Sequence, residues 1–356
     1  MKILELTRQF FPSIGGMEKF VEDRLKIYEH QGFSYKIVTT THAERNLNNN
    51  KRLDDVEYLP TYTPYEIVPG LRKRLNIDYD VLSVNKVGYY YADYAIRKAC
   101  KDGKKIILTP HMYFHTNRYK FVKDIHFKLV LPTIINKVNS IICFTEFEAK
   151  FWDSNFPMLK NKIEIIPHYF KKPEIIVSES GNEFGSYFLF LGRGEINKRI
   201  DLLIPAFNEI KSNYKLVLTI DQDELSTSNK EIVLNNNQIH VLGRVSENRK
   251  QNLLSNCSAL VLPSDYEAFG IVNFEASFYK KVLLLSDLEV FKCFLDNSGV
   301  LYFQNNHKSI KEVLTNFISI EKNKKKQMGK INFENLSRYD FKTISEKYSK
   351  LFDKLK

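Results

Sequence analysis

Two glutamates frame the segment with the clearest chemical signal. Glu267 lies shortly after the apolar run Ala259–Leu262, and seven residues separate it from Glu275. Between them, Phe269-Gly270-Ile271 opens a predicted helix whose first backbone N–H groups can bind an anion. A carboxylate two turns along such a helix can accept hydrogen bonds from paired hydroxyls, as on a ribose. The segment can therefore form a site for an anion and a sugar, and the alternative is two glutamates on the protein surface.

The elements that must position these residues alternate between strand and helix in two series. The first series contains the predicted strands Ile3–Leu6, Tyr35–Thr40, Val81–Val84, Lys105–Thr109, Ser140–Phe144 and Ile163–Ile166. The second contains Tyr187–Leu191, Leu216–Ile220, Gln238–Leu242, Ala259–Leu262 and Val282–Leu285. This alternation predicts two Rossmann-like α/β domains with mainly parallel sheets. Ligands in such sheets lie at the carboxyl ends of the strands.

A linker separates the two series. Periodicity is lost over residues 170–185, where Pro, Ser, Gly and Glu accumulate. We therefore place an N-terminal domain at residues 1–172 and a C-terminal domain at residues 173–335. Residues 336–356 form a last segment, whose apolar spacing over 341–355 predicts a helix that either returns to the N-terminal domain or packs locally.

Composition bounds the class of protein. The chain has 356 residues, and 53 basic less 42 acidic residues gives a net charge of +11. The hydrophobic fraction of 43% excludes a disordered or collagen-like chain, and the positive charge favours anionic partners. Four cysteines without a CxxC pair indicate buried, reduced thiols. Neither a signal-peptide pattern nor an apolar run long enough to span a membrane occurs, so we expect a cytoplasmic protein.

Four motifs in order resemble those of a known enzyme family. They are Phe11-Pro12-Ser13-Ile14-Gly15-Gly16, then Gly192-Arg193 with Lys198, then Gly243-Arg244, then the segment from Glu267 to Glu275. Together they resemble the retaining glycosyltransferases of the GT-B fold, in particular glycosyltransferase family 4. The resemblance implies two Rossmann-like domains facing across a cleft. It also implies an N-terminal domain that binds the acceptor and a C-terminal domain that binds a nucleotide-sugar donor.

The resemblance assigns a role to each motif residue. Arg193 and Lys198 would hold the donor diphosphate, where cations stabilise the charge of the departing nucleotide. Glu275 would bind the ribose, and Glu267 would contact hydroxyls of the transferred sugar. The amides of Phe269, Gly270 and Ile271 would seat phosphate and sugar, and Gly15 and Gly16 would let the backbone approach the donor phosphate or the acceptor.

A histidine follows the strand Lys105–Thr109. His111 matches a position at which the family places a histidine, and its implied role is a hydrogen bond to the donor sugar near the reacting carbon. His115 is the rival candidate. Structural packing is the alternative role for either side chain.

Several positions depart from the family pattern. Arg199 replaces the glycine that commonly follows the motif lysine, and Ala268 replaces a glycine after the first glutamate. Asp221-Gln222-Asp223 stands where a glycine-containing turn is usual. A D-x-D after a strand can hold a divalent cation in another glycosyltransferase fold. Because Arg193 and Lys198 already supply positive charge, we expect no metal and no other cofactor.

Two basic segments indicate a membrane-facing surface. Residues 71–75 and 118–123 interleave cations with apolar or aromatic side chains. Docking of the N-terminal domain on the anionic inner face of the plasma membrane is one interpretation, and a solvated helix face is the other. Docking would suit a lipid-linked saccharide acceptor and a role in O-antigen-type or capsule-type surface polysaccharide synthesis.

The leading hypothesis is a retaining, metal-independent hexosyltransferase. A catalytically idle nucleotide-sugar-binding or scaffold protein of the same fold is the alternative. A dinucleotide-dependent dehydrogenase is disfavoured because the first glycine loop lacks the G-x-G-x-x-G spacing. A nucleic-acid binder is suggested by charge alone, so no nucleic-acid partner is expected.

Overall fold

The computed structural model describes residues 1–12, 15–40, 56–61, 67–111, 120–173 and 181–356. It divides the chain into two compact units. The first comprises residues 1–169 together with 341–356, and the second comprises residues 170–340. The boundaries predicted from the sequence lie within a few residues of these. The rival histidine, His115, lies outside the described residues.

The first unit contains a sheet of seven strands. They are β1 (Lys2–Thr7), β2 (Ser34–Thr40), β3 (Val56–Leu59), β4 (Val81–Asn85), β5 (Lys105–Thr109), β6 (Ser140–Cys143) and β7 (Ile163–Ile165). Their order is β3-β2-β1-β4-β5-β6-β7, and each neighbouring pair is parallel. In the register, Leu4 lies opposite Lys36 on one side and Leu82 on the other.

Helices connect these strands. They are α1 (Gly16–His30), α2 (Leu71–Arg74), α3 (Tyr90–Lys101), α4 (Lys120–Ile125), α5 (Leu131–Ile135) and α6 (Glu146–Asn155). A π-helical segment, His126–Val130, joins α4 to α5.

The second unit repeats the arrangement with six parallel strands. They are β8 (Tyr187–Phe190), β9 (Lys215–Leu218), β10 (Ile239–Val241), β11 (Ala259–Leu262), β12 (Val282–Ser286) and β13 (Val300–Phe303), in the order β10-β9-β8-β11-β12-β13. Its helices are α7 (Ile200–Asn208), α8 (Thr227–Asn235), α9 (Glu247–Asn256), α10 (Ile271–Phe278), α11 (Glu289–Phe294), α12 (His307–Ser319) and α13 (Lys322–Asn335).

Continuous apolar runs explain why these strands lie inside the sheets. Every residue of β11 and β12 is buried. A strand covered by helices on both faces needs apolar side chains on both, and each fully buried leucine contributes roughly 1.5–3 kcal/mol relative to exposure. The predicted architecture of two parallel-sheet α/β domains is therefore confirmed. The strands β3 and β13 were not predicted.

The last helix, α14 (Phe341–Leu355), belongs to the first unit. Its Phe352 packs against Tyr28 and Phe33, with ring centroids 5.7 and 5.0 Å apart. Gln31 donates a hydrogen bond to the Ser345 carbonyl. The apolar side chains of α14, whose helical spacing is visible in the sequence, thus pack against α1 and the residues that follow it.

The structure also bears on the predictions about the cysteines and about membrane-spanning helices. Cys143 and Cys257 are buried, whereas Cys100 and Cys293 are exposed, which corrects the prediction of four buried thiols. Both exposed cysteines lie on helix surfaces, at which a small thiol is tolerated without a core environment. Across the part of the chain that the structure describes, none of the helices has the length and apolarity needed to cross a bilayer.

Candidate functional site

An ion pair joins two motif residues at the carboxyl ends of β8 and β11. Lys198 lies in a 3₁₀ turn after β8, and its ammonium pairs with the Glu267 carboxylate. The Ser264 hydroxyl donates to the same carboxylate oxygen at 2.9 Å. The two charged side chains are 18% and 13% exposed. The fold therefore places Glu267 beside a cation and within reach of solvent.

Arg199, which replaces a family glycine, adopts a left-handed conformation with φ of +50°. Such a backbone costs an arginine roughly 1–2 kcal/mol relative to a right-handed one. Its guanidinium pairs with Asp201 and Asp265, at 3.1 Å in each case. These ion pairs hold the turn that carries Lys198 in spite of the missing glycine.

Arg193 lies between β8 and this turn and is about half exposed. Its guanidinium is 3.4 Å from Glu195. A side chain on the next residue, Gly194, would collide with Glu224. The glycine thus allows the loop that carries Arg193 to approach the neighbouring turn closely.

The N-terminus of α10 lies in the same segment as Glu267. Its N-cap, Gly270, has φ of +76°, and a Cβ there would lie 2.7 Å from Asn273 Nδ2 and 3.0 Å from Phe291. Glycine is therefore required on both conformational and steric grounds. The ring of Phe269 is buried and stacks on Phe274 at 4.7 Å, so only its backbone suits a ligand contact.

Glu275 lies on α10 and is nearly buried, with 9% of its surface exposed. The Nζ atom of Lys250, on α9, lies 2.8 Å from Oε1 of Glu275. The same Nζ atom lies 2.9 Å from Oε2 of Glu247. Ser246 caps α9 by accepting a hydrogen bond from the Arg249 amide, which fixes the start of this helix. Sequence reasoning missed Lys250, whose only signal is a lysine among the buried positions of an amphipathic helix.

The D-x-D segment has a structural explanation. Asp221 caps the 3₁₀ turn Gln222–Glu224, and the Glu224 carboxylate accepts from the Asp221 amide in return. Asp221 also pairs with Arg244 at 3.1 Å. Among the described residues, no group of three or more His, Cys, Asp or Glu side chains is arranged to hold a metal ion.

In the first unit, His111 follows β5 with φ of +54° and is 8% exposed. Its ring meets Phe20 and Phe144 edge to face, with centroids 5.0 and 5.2 Å away. Its Nε2 atom is 3.1 Å from Oδ1 of Asn85, at the end of β4. The two strand ends thus bring an amide and an imidazole together.

A buried polar network fixes the orientation of that amide. Arg24 is buried, pairs with Glu5, and donates to Asn85 Oδ1 at 2.7 Å. The Asn85 Nδ2 atom donates to Glu5 at 2.5 Å and to the Leu6 carbonyl at 3.2 Å. Because Oδ1 is an acceptor, we assign the proton of neutral His111 to Nε2, so that Nδ1 is the hydrogen-bond acceptor.

Burial lowers the pKa of His111 well below its ordinary value of 6.5, and the nearby cations Arg24 and Lys86 lower it further. The imidazole is therefore neutral at neutral pH. It can exchange hydrogen bonds with a ligand but carries no charge to it.

The two glycines of the N-terminal motif lie at the start of α1. Gly15 is the N-cap in extended backbone, and Gly16 is the first helical residue. The second unit thus gathers Arg193, Lys198, Glu267, Gly270 and Glu275 around the ends of β8 and β11, whereas Gly15, Gly16 and His111 lie in the first unit.

Two parallel-sheet α/β units are the architecture expected of the GT-B fold. The family model described as Glycosyltransferase Family 4 matches residues 14–169, and that described as Glycosyl transferases group 1 matches residues 171–334. The chain belongs to this group 1 and family 4 class of glycosyltransferases.

Sequence relatives agree with this assignment, and a solved structure agrees with the fold. An uncharacterized glycosyltransferase of Methanocaldococcus jannaschii is 26% identical over 91% of this chain and 90% of its own. The GDP-mannose:cellobiosyl-diphosphopolyprenol alpha-mannosyltransferase of Xanthomonas campestris is 23% identical over 84% and 82%. The structure of Anabaena HepE in complex with UDP has a TM-score of 0.77 at 14% identity, and the match covers 99% of this chain and 100% of HepE.

The lowered pKa of His111 predicts a pH-dependent stability. Below pH 6.5 the unfolded chain binds a proton at this position that the folded chain resists, so the free energy of unfolding decreases as pH falls. Between pH 7.5 and 5.5 we expect His111→Gln to lose about 1 kcal/mol less stability than the wild type. Urea unfolding monitored by Trp152 fluorescence measures this, since that tryptophan is buried in the same unit.

The matched control is His30→Gln, which changes an exposed histidine of the same unit. It should retain the wild-type pH slope. Equal slopes for His111→Gln and the wild type would show that His111 accepts its proton as readily in the folded chain as in the unfolded one.

Proposed function

We propose that this protein transfers a sugar from a nucleotide-sugar donor to a saccharide acceptor with retention of configuration and without a metal. The observation that carries the proposal is the ion pair of Lys198 and Glu267 at the adjacent ends of β8 and β11, in the loops that also carry Arg193 and the α10 N-terminus. Cations and backbone amides at one place suit a diphosphate. The carboxylates beside them suit the hydroxyls of two sugars.

In this proposal the donor diphosphate binds Arg193 and Lys198. As the bond between the sugar carbon and the phosphate oxygen breaks, negative charge develops on the departing diphosphate. The two cations stabilise that charge. Glu267 holds Lys198 in place and accepts hydrogen bonds from the transferred sugar. Glu275 accepts hydrogen bonds from the ribose.

His111 provides a neutral contact to the donor sugar. With its Nε2 proton directed at Asn85, its Nδ1 atom accepts a hydrogen bond from a sugar hydroxyl. Its lowered pKa makes the imidazole a weak general base for the acceptor hydroxyl. We therefore propose that the acceptor hydroxyl attacks the face from which the diphosphate leaves, and that the leaving phosphate oxygen takes the acceptor proton.

We further propose that the acceptor is lipid-linked and belongs to surface polysaccharide synthesis. The name of the Xanthomonas campestris relative specifies a cellobiosyl-diphosphopolyprenol acceptor. In this chain, the cations Arg72, Lys73 and Arg74 of α2 are exposed, and Phe121 and Leu129 are 76% and 69% exposed. Exposed cations and large apolar side chains suit docking of the first unit on an anionic leaflet.

A nucleotide panel tests the donor site. We expect UDP, GDP or ADP, but not NAD, to raise the Tm in the presence of EDTA, and Glu275→Ala to abolish the rise. A ligand at 100 times its Kd stabilises by about 2.7 kcal/mol. Glu334→Ala, an exposed glutamate of the same unit, is the control and should respond like the wild type. A shift that requires a divalent metal contradicts the metal-free proposal, and no shift in any condition contradicts donor binding.

Liposome sedimentation tests the membrane proposal. We expect the protein to bind vesicles that contain anionic lipid at low salt, and Phe121→Asp with Leu129→Asp to reduce binding at least about tenfold, because charges replace inserted apolar area. Phosphatidylcholine vesicles are the control. Equal binding to both vesicle types, or binding that the substitutions do not change, contradicts docking through this surface.

A further inference from the structure

The carboxylate of Glu275 has a partner that no motif identifies. We infer that Lys250 is a positioning residue for Glu275 and that the pair makes the donor site selective for a ribose over a sugar without its hydroxyls. This inference rests on the proposed function. It adds a residue on another helix, 25 positions away in the sequence, to the donor site.

Geometry supports a direct coupling between the two side chains. Lys250 Nζ lies 2.8 Å from Glu275 Oε1, and the charged side chains are 20% and 11% exposed. The aliphatic stem of Lys250 is thus largely covered, and its ammonium reaches the carboxylate from the side of α9. An ion pair this shielded from water is less screened than one on the surface.

The second partner of Lys250 fixes the ammonium in place. Glu247, one turn earlier on α9, lies 2.9 Å from Nζ and is 62% exposed. Two carboxylates therefore hold one ammonium, and both α9 and α10 contribute to the arrangement. The hydroxyl of Tyr279, which follows α10, donates a 3.5 Å hydrogen bond to Oε1 of Gln251 on α9. This bond links the same two helices.

The chemistry of a carboxylate explains why this matters for ribose. An ionised carboxylate accepts about four hydrogen bonds through its two oxygens, so a bond from Lys250 does not by itself exhaust its capacity to accept from hydroxyl groups. A charge-assisted bond to one oxygen also restricts the rotation of the carboxylate. Lys250 thus holds the orientation of Glu275 toward the diol.

Paired nucleotides test the inference by calorimetry in EDTA. The probes are UDP, GDP and ADP together with their 2′,3′-dideoxy forms, which lack the hydroxyls that Glu275 would bind. We expect Lys250→Met to weaken binding of the ribonucleotide by about tenfold, equivalent to about 1.4 kcal/mol, and to leave binding of the dideoxy form unchanged. Lys250→Arg should restore part of the ribonucleotide affinity, because it keeps the charge.

Three controls separate positioning from general effects. Lys330→Met removes an exposed lysine of the same unit that pairs with Glu334, and it should change neither affinity. Glu247→Gln removes the exposed partner of Lys250 and should have less than half the effect of Lys250→Met on the free energy of binding. The double variant Lys250→Met with Glu275→Gln removes both charges, and it should bind ribonucleotide no more weakly than Glu275→Gln alone.

Each outcome decides the inference. A loss confined to the ribonucleotide, with no further loss when Lys250→Met is added to Glu275→Gln, supports it. Equal losses on both nucleotide forms, or none on either, overturn it while leaving the proposed function intact. Wild-type protein that binds none of UDP, GDP and ADP overturns the inference together with the donor site. If Lys250→Met does not fold, the double variant and Lys250→Arg provide the same comparison without an unpaired buried charge.

Discussion

A partly buried charge requires a partner, and this constraint organises the donor-site region of the second unit. Each glutamate of the sequence motif forms an ion pair with a lysine from another part of the chain. Glu267 pairs with Lys198, and Glu275 pairs with Lys250. Removing one member of such a pair would leave an uncompensated charge, at a cost of roughly 3–5 kcal/mol when the pair is fully buried. The pairs therefore fix the positions of both carboxylates, and a turn after β8 carries one lysine while helix α9 carries the other.

The same constraint operates in the first unit with a different result. Arg24 lies in the core, where Glu5, Asn85 and Thr109 surround its guanidinium. This network leaves Asn85 one orientation, and Asn85 in turn selects the tautomer of His111. Burial and the nearby arginine keep the imidazole neutral. A charge pair below the surface thus determines the hydrogen-bonding character of a side chain at the strand end.

Local patterns in the sequence predicted much of the fold. The strands Lys105–Thr109 and Ala259–Leu262 occur with the predicted bounds, because apolar runs between turn residues mark strands that are covered on both faces. The strand Val56–Leu59 was missed, and its central residues are half-buried. The strand Val300–Phe303 was also missed, and it has the same mixed burial, so neither has a continuous buried run.

The candidate site was predictable only where one motif holds its residues. The segment from Glu267 to Glu275 predicts both its helix and its two carboxylates. The positive φ of residue 270 explains why a glycine stands there. Lys250 and Asn85 were missed because their partners are distant in sequence and only the folded chain brings them together. Asp221 shows that one spacing allows two roles. A D-x-D after a strand can hold a cation, but no metal was expected here, and the Asp221 carboxylate caps a turn and pairs with Arg244.

The structure of the protein with UDP or GDP bound tests the central claim most directly. The account predicts that diphosphate oxygens lie within hydrogen-bond distance of Arg193 and Lys198. It also predicts that the ribose hydroxyls donate to Glu275 while Lys250 remains paired with that carboxylate. A nucleotide bound away from the ends of β8 and β11, or a ribose that does not contact Glu275, would contradict the account.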